Sequence, residues 1–200
     1  MRLTRRGTIL GLGAAGLAAP LSTLAQPAAF PKGAIIRTLF ADLDPQALAG
    51  GATLSHEHLS LGPDFGERFI AASQAVLAAQ GAPTAGAARP PPKPPGPDPQ
   101  RDVALMAEEL RKAQREGVAC IVDAGLEGAG MDLDFIRQAA RASGLPVVKG
   151  AGFYTEPFYP AAIRTMAEDQ IVRILIKQAD DYPAGAFGEI GSWDEITAAG

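Results

Sequence analysis

The chain has two histidines, His56 and His58, and they lie together in the segment Leu-Ser-His-Glu-His-Leu. On an extended strand, residues two apart point to the same face, so both imidazoles can converge on one metal ion while Glu57 points away. A pair of surface histidines beside a loop would show the same spacing. The spacing alone therefore does not distinguish a metal site from a pair of surface histidines. The secondary structure around the two histidines is needed to distinguish them.

Short apolar runs that alternate with helical patterns predict those elements. A parallel sheet buried on both faces is built from such continuous runs. The predicted strands are residues 52–55, 118–122, 146–149 and 186–190. Residues 35–40 are expected to pair with the approach to the first strand as a hairpin. The two histidines thus follow the carboxyl end of a strand, where (β/α) barrels carry their catalytic groups.

Helical spacing of apolar residues fills the gaps between these strands. It predicts helices over residues 103–113, 135–140 and 171–175, the first two ended by Gly117 and Gly144. Thr165 and Glu168 have the spacing of a capping box at the start of the third helix. The order strand, helix, strand, helix indicates an α/β fold.

Composition and charge exclude several classes of protein. A chain of 200 residues with 47% hydrophobic and 20% charged residues is typical of one globular domain and excludes a fully disordered chain. A net charge of −4 lacks the basic field that non-specific nucleic-acid binding requires, so no nucleic-acid partner is expected. The single cysteine, Cys120, cannot form an internal disulfide, and its mid-strand position favours a buried, inert thiol.

The first 25 residues have the profile of an export signal. Arg2, Arg5 and Arg6 precede an apolar stretch that is too short to span a bilayer comfortably, and no acidic residue occurs before Asp42. The segment Thr-Arg-Arg-Gly-Thr-Ile-Leu resembles a twin-arginine signal. An anchoring N-terminal helix is the alternative. We expect a periplasmic or secreted protein without stable membrane insertion.

A proline-rich stretch interrupts the chain between the first strand and the next predicted helix. Residues 82–99 contain eight prolines, which cannot join a hydrogen-bonded helix or sheet. We expect a disordered surface insertion. A proline-recognition ligand is the less favoured interpretation.

The segments around the four strands resemble the phosphotriesterase family of the amidohydrolase superfamily. Residues 51–59 are similar to its opening metal motif, 117–123 and 150–154 to its second and third strands, and 184–191 to its fourth strand. The resemblance implies a (β/α)8 TIM barrel of amidohydrolase type. It also implies two divalent metal ions, most often zinc, bridged by a hydroxide that attacks an ester, lactone or phosphotriester.

The resemblance also implies roles for individual residues. His56 and His58 match the histidines that bind the buried metal ion. Glu189 stands at the fourth-strand position that bridges both ions and is catalytic in that sense; many family members have a carboxylated lysine there. Glutamate already carries the carboxylate, although an exposed strand-end glutamate would look the same. Tyr154 matches a substrate-binding aromatic residue near the metals, and a merely packed tyrosine fits nearly as well. Lys149 does not match the bridging position.

The family supplies two further histidines from strands five and six and an aspartate from strand eight, whereas this sequence ends at Gly200 after the fourth predicted strand. We therefore expect residues 26–200 to be the N-terminal half of a barrel, with about the first four βα units. The intact protein would be a binuclear metal hydrolase, and the 200-residue chain alone would be inactive. The alternative is a truncated barrel or a non-catalytic metal- or ligand-binding module.

The expected substrate is a small ester or lactone, favoured over a phosphotriester, and a homodimer is left open.

The twin-arginine hypothesis yields the first testable prediction. Replacing both Arg5 and Arg6 by lysine should block export, because that transport route reads the paired guanidinium groups. Cell fractionation of wild type and variant measures the effect. Equal periplasmic amounts of the two proteins would contradict the twin-arginine interpretation.

Overall fold

The computed structural model describes residues 29–81 and 96–191. The predicted signal (1–25) and residues 82–95 of the predicted insertion lie outside the described residues. By its internal contacts the chain divides into residues 1–32 and residues 33–200, and every helix and strand described below belongs to the second unit. Within the described ranges, no helix combines the length and apolar character that crossing a membrane requires.

Six strands form two sheets in the described residues. The first sheet is an antiparallel pair of two-residue strands, β1 (Ile36–Arg37) and β2 (Asp42–Leu43). The second has four parallel strands in chain order: β3 (Ala52–Glu57), β4 (Val118–Asp123), β5 (Val147–Ala151) and β6 (Ala184–Phe187). Parallel neighbours in sequence order confirm the predicted strand–helix series. The fourth strand lies two to three residues earlier than predicted, so Glu189 follows the strand instead of lying in it.

Residues 35–40 form a hairpin with the segment that leads to β3, in agreement with the prediction. β1 pairs antiparallel with β2, with Ile36 opposite Leu43. The side chain of Thr38 closes this local turn: its hydroxyl donates to the Ala41 carbonyl at 2.7 Å and accepts from the Ala41 amide at 3.2 Å. A hydroxyl that satisfies a turn in this way favours the nearest partner over a distant one.

Four α-helices connect the strands. They are α1 (Phe65–Ala79), α2 (Val103–Arg115), α3 (Leu133–Ser143) and α4 (Glu168–Asp181). Asp102 caps α2 by accepting from the amides of Ala104 and Leu105, and Asp132 caps α3 by accepting from the amide of Phe135. Gly144 ends α3 with a left-handed φ of 76°, as the sequence predicts.

The predicted capping box of α4 is wrong. Ala167 occupies the N-cap position, and the Gln170 side chain accepts from its amide at 2.9 Å. Thr165 instead ends a preceding 3-10 helix and donates to the Ala162 carbonyl. The helix therefore starts three residues after Thr165, and glutamine takes the part assigned to Glu168.

Helix α1 was not predicted. None of its residues is buried, and alanines occupy many of its positions, so the apolar periodicity that marks a packed helix is weak there. At the end of the proline-rich stretch, Pro99 opens a short 3-10 helix capped by Asp98, so the predicted insertion extends slightly too far.

The main core lies between the four-stranded sheet and helices α2 and α3. Apolar side chains from both helices meet strand residues that point to the same side. The core includes Met106, Leu110, Ile121, Phe135, Ile136 and Val147, each less than 9% exposed. This packing fixes the sheet against its helices and leaves the carboxyl ends of the strands to carry the polar groups.

Two glycines give a matched stability test. A Cβ added at Gly150 on β5 would lie 2.3 Å from the Gly188 carbonyl oxygen, whereas one added at Gly66 on α1 meets nothing within 4 Å. We expect Gly150→Ala to destabilise the fold by about 1–3 kcal/mol, because backbone must move. Gly66→Ala should stabilise it by about 0.5–1 kcal/mol. Urea unfolding followed by circular dichroism measures both, and equal midpoints for the two variants would contradict the close approach of β5 and the segment after β6.

Candidate metal centre

His56 and His58 stand where β3 stops following the sheet ladder. The pairing of β3 with β4 is irregular between Leu54 and Glu57, and regular pairing ends with Glu57 opposite Asp123. Beyond that point, the chain is held by side chains. The Gln100 amide group donates to the His58 carbonyl at 2.7 Å, and the Leu59 amide donates to the Asp123 carboxylate at 2.8 Å. Both bonds hold the His58–Leu59 peptide outside the ladder.

Glu189 is held by backbone bonds on both sides. The Gly188 amide donates to the Ala151 carbonyl and the Gly191 amide donates to the Tyr154 carbonyl, each at 2.8 Å. These bonds tie the segment after β6 to the end of β5. The Glu189 side chain is consequently directed along the carboxyl edge of the sheet.

The three side chains meet at this edge. The Glu189 Oε2 atom lies 3.0 Å from His56 Nε2 and 3.4 Å from His58 Nε2. The two imidazole rings are edge to face with centroids 5.2 Å apart. Yet β3 and β6 are the outer strands of the four, and in a flat sheet three strand spacings would separate them by ~14 Å. The contact therefore requires the sheet to curl, as in the wall of a barrel.

This donor set fits a divalent metal ion. Ligand atoms of the three residues all lie within 4.8 Å of one another. Two atoms on one tetrahedral zinc ion, each about 2.0–2.1 Å from it, are roughly 3.4 Å apart, close to the two contacts of Glu189. His58 Nδ1 is buried and has no hydrogen-bond partner among the described residues. Imidazole and carboxylate are ligand types that zinc accepts.

The profile of the Phosphotriesterase family matches residues 36–199 of the sequence. The chain belongs to this family. Its four parallel strands with intervening helices confirm the predicted fold class, an α/β TIM barrel of which the chain carries about the first four βα units. The family is typically metal-dependent, in agreement with a His and Glu group that can hold an ion.

The chain matches several relatives and one solved structure, but it covers only part of the length of each. An N-acetyltaurine hydrolase of Salmo salar is 33% identical over 95 residues, which are 44% of this chain and 27% of the relative. One of Tetraodon nigroviridis is 25% identical over 193 residues, 81% of this chain and 49% of the relative. A resiniferatoxin-binding protein of Rhodobacter sphaeroides matches with a TM-score of 0.59 at 23% identity, over 82% of this chain and 48% of that one. The chain thus spans about half or less of the relatives it matches.

Tyr154 lies beside the centre, in a cluster of aromatic rings. Its ring centroid is 5.2 Å from that of Phe158 and 6.1 Å from that of Phe65, and Phe65 in turn contacts Phe69. Burial and the negative charge of Glu189 raise the pKa of the Tyr154 phenol above its usual range. Tyr154 is therefore a neutral hydrogen-bond donor near the carboxylate. Phe65 and Phe69 belong to the unpredicted helix α1, so no sequence signal placed them here.

The structure places Lys149 apart from the three metal-site side chains, in a fully buried ion pair with Asp123. Lys149 Nζ lies 3.1 Å from Asp123 Oδ1, and both side chains are 0% exposed. Nζ also donates to the carbonyls of Asp123, Gly125 and Gly150. Burial lowers the pKa of the Lys149 ammonium, and the Asp123 carboxylate opposes that effect. Surroundings made of acceptor oxygens suit an ammonium and not a carboxylated lysine.

No sequence signal pairs Lys149 with Asp123, because Asp123 ends β4 and Lys149 lies within β5. Their charge alone is a weak signal. Apolar runs that end in a charged residue, such as the run 118–122 before Asp123, are the feature that could have marked them. Cys120 is 1% exposed, and burial raises the pKa of its thiol, as expected of an inert cysteine.

The environment of Tyr154 gives a prediction about its titration. Because the Glu189 carboxylate disfavours the phenolate, Glu189→Gln should lower the pKa of Tyr154. The matched control is Glu156→Gln, which should lower the pKa of Tyr159, since Glu156 acts on that phenol in the same way. Carbon-13 NMR of labelled tyrosine rings, assigned with Tyr154→Phe, measures both. An unchanged Tyr154 pKa in the Glu189→Gln variant would contradict an electrostatic effect of Glu189 on the Tyr154 phenol.

Proposed function

We propose that the protein is a metal-dependent hydrolase of ester-type bonds in lactones, carboxylic esters or phosphotriesters. The observation that carries the proposal is the convergence of His56, His58 and Glu189 from the two outer strands onto one point at the carboxyl edge of the sheet. Membership of the phosphotriesterase family supports the same chemistry. The chain spans about half or less of its relatives, so the proposal concerns the activity of the completed barrel.

His56, His58 and Glu189 would hold the ions, and zinc suits two neutral imidazoles with a carboxylate. Glu189 contacts both histidines through one oxygen and has a second carboxylate oxygen, so it is the proposed bridge between two ions. Divalent zinc, when bound, supplies Lewis acidity: it lowers the pKa of a water and polarises the acyl or phosphoryl oxygen. The fixed negative charge of Glu189 would reduce the repulsion between two cations held there.

The remaining residues bind and orient the substrate. Tyr154 stays protonated because its pKa is raised, so its hydroxyl can donate to an oxygen of the substrate. The rings of Phe65, Phe69 and Phe158 form an apolar surface beside it. Apolar walls with a few polar groups are typical of small-molecule sites. Such a wall suits an acyl chain or lactone ring better than a highly charged substrate.

The names of the relatives add one substrate class. Several relatives are called N-acetyltaurine hydrolase. Hydrolysis of an N-acetyl group, like hydrolysis of an ester, begins with nucleophilic attack on an acyl carbonyl carbon. We therefore include N-acetyl compounds with lactones and esters among the substrates to assay.

A non-catalytic metal-binding module is the second candidate. The His56 side chain is 53% exposed in the described part of the chain, so an ion held there would face solvent. Catalytic sites exclude bulk water more completely. Zinc binding without turnover in a completed barrel would favour this candidate over the hydrolase.

The proposal extends to location and partners. Export to the periplasm by the twin-arginine route follows from the paired arginines, and it would let the protein fold and load its metal before transport. The partner is a small-molecule substrate, in keeping with the acidic net charge of −4. A homodimer is compatible with this assignment.

Substitution of the three ligands tests the proposal. His56→Ala, His58→Ala and Glu189→Gln should each lower zinc affinity by at least the 10- to 100-fold that outer groups typically cost. Glu189→Gln should lose a second ion before the first, because it removes the bridging charge. Competition with a chromophoric chelator measures affinity on the 200-residue chain, where weak single-site binding is expected. Elemental analysis and turnover are measured on a version that completes the barrel.

Glu57→Gln is the matched control, since Glu57 lies between the two histidines but outside the three-residue group. It should leave zinc affinity within a factor of about two or three of wild type. Wild-type zinc content and turnover in the Glu189→Gln protein would show that Glu189 is not the bridge.

A further inference from the structure

The buried Asp123–Lys149 pair links β4 and β5 with the segment that follows β3. Asp123 is the last residue of β4, and Lys149 lies on β5 opposite it in the parallel register. Asp123 Oδ2 accepts from the Leu59 amide at 2.8 Å, and Oδ1 accepts from the Gly125 amide at 3.1 Å. A carboxylate with two amide donors and one ammonium is fully engaged by fixed partners. Such a group holds backbone in place more rigidly than a neutral acceptor would.

For the metal site, the important hydrogen bond of Asp123 is the one that it accepts from the Leu59 amide. This amide follows His58 directly, at the place where regular β3 pairing has ended. No strand neighbour fixes this peptide: the Gln100 amide group holds its carbonyl, and the Asp123 carboxylate holds its N–H in place of a ladder bond. A shift of the Leu59 amide would turn the peptide that carries His58.

We propose that Asp123 and Lys149 are positioning residues for the proposed metal site: Asp123 orients the His58–Leu59 peptide, and Lys149 holds the Asp123 carboxylate in place. The inference rests on the proposed function, because it assumes that His58 is a ligand. Neither residue touches the ion or the substrate. Each acts through the backbone of a residue that does.

Stability alone does not account for the pair. Replacing a buried ion pair by apolar residues is often neutral or stabilising, whereas removing one partner is costly because a buried charge is left alone. Lys149 also donates to the carbonyls of Gly125 and Gly150, at the ends of β4 and β5. A core would be served equally well by two apolar side chains. A site that needs a fixed peptide geometry would not.

Two double variants isolate the acceptor. Asp123→Asn with Lys149→Met removes both charges and keeps an oxygen that can accept from Leu59. Asp123→Ala with Lys149→Met removes both charges and the acceptor. We expect the first to lose less than about ten-fold in zinc affinity, because a neutral acceptor without Lys149 still bonds Leu59 but holds it less rigidly, and the second to lose about 10- to 100-fold, the range typical of groups that orient ligands. Chelator competition on the 200-residue chain is the readout.

Ile136→Ala controls for lost stability, because Ile136 is fully buried on α3 in the same apolar core as Leu59 and belongs neither to the ion pair nor to the three proposed ligands. It should lower the urea midpoint and leave zinc affinity unchanged. Equal zinc affinity for the two double variants would overturn the proposal. So would an affinity loss in Ile136→Ala as large as that of the Ala/Met variant.

Hydrogen exchange in wild type gives an independent measurement that needs no variant to fold. Saturating zinc should slow exchange of the Leu59 amide more than that of the Ile136 amide, because binding and the Leu59–Asp123 bond stabilise each other. Unchanged exchange at Leu59 with zinc bound would overturn the inference while the metal site stands. Absence of zinc binding in wild type would overturn the proposed function and the inference with it.

Discussion

Two full charges lie inside the carboxyl end of the sheet without exposure to water. The Asp123 carboxylate and the Lys149 ammonium are each 0% exposed and 3.1 Å apart. Because unpaired burial of either charge would be costly, the ends of β4 and β5 can adopt few other arrangements. The segment after β3 is bonded to the same carboxylate through Leu59. The geometry of the polar edge therefore depends on this pair more than on the apolar core below it.

Curvature is the second constraint on the metal centre. His56 lies on one outer strand and Glu189 just after the other, yet their side chains are 3.0 Å apart. Close approach of backbone at Gly150 and Gly188 permits part of this curl, since a Cβ at Gly150 would lie 2.3 Å from the Gly188 oxygen. Glycine at this point is required by contact distance. The sheet can thus bring its outer strands together where side chains would otherwise hold them apart.

The sequence predicted the parallel strands and helices α2 and α3 because their signals are local: apolar runs, helical spacing of apolar residues and glycine stops. His56 and His58 were identifiable from their spacing, and Glu189 from the resemblance of its segment to a family strand. Helix α1 was not predicted because none of its residues is buried, and its apolar periodicity is correspondingly weak. The Asp123–Lys149 ion pair was not predicted because the two residues are distant in sequence and meet only when β4 and β5 align.

The distance along the chain between the ligands has a kinetic consequence. His56 and Glu189 are 133 residues apart, so their contact closes a very long loop. Loop closure is paid for in entropy before the contact gives anything back, and contacts of this range form late. Metal therefore cannot nucleate folding here by joining neighbouring ligands, as it does in a small zinc finger. Binding of the ion by all three residues would instead follow formation of the sheet, because His56 and Glu189 come together only when all four strands have paired.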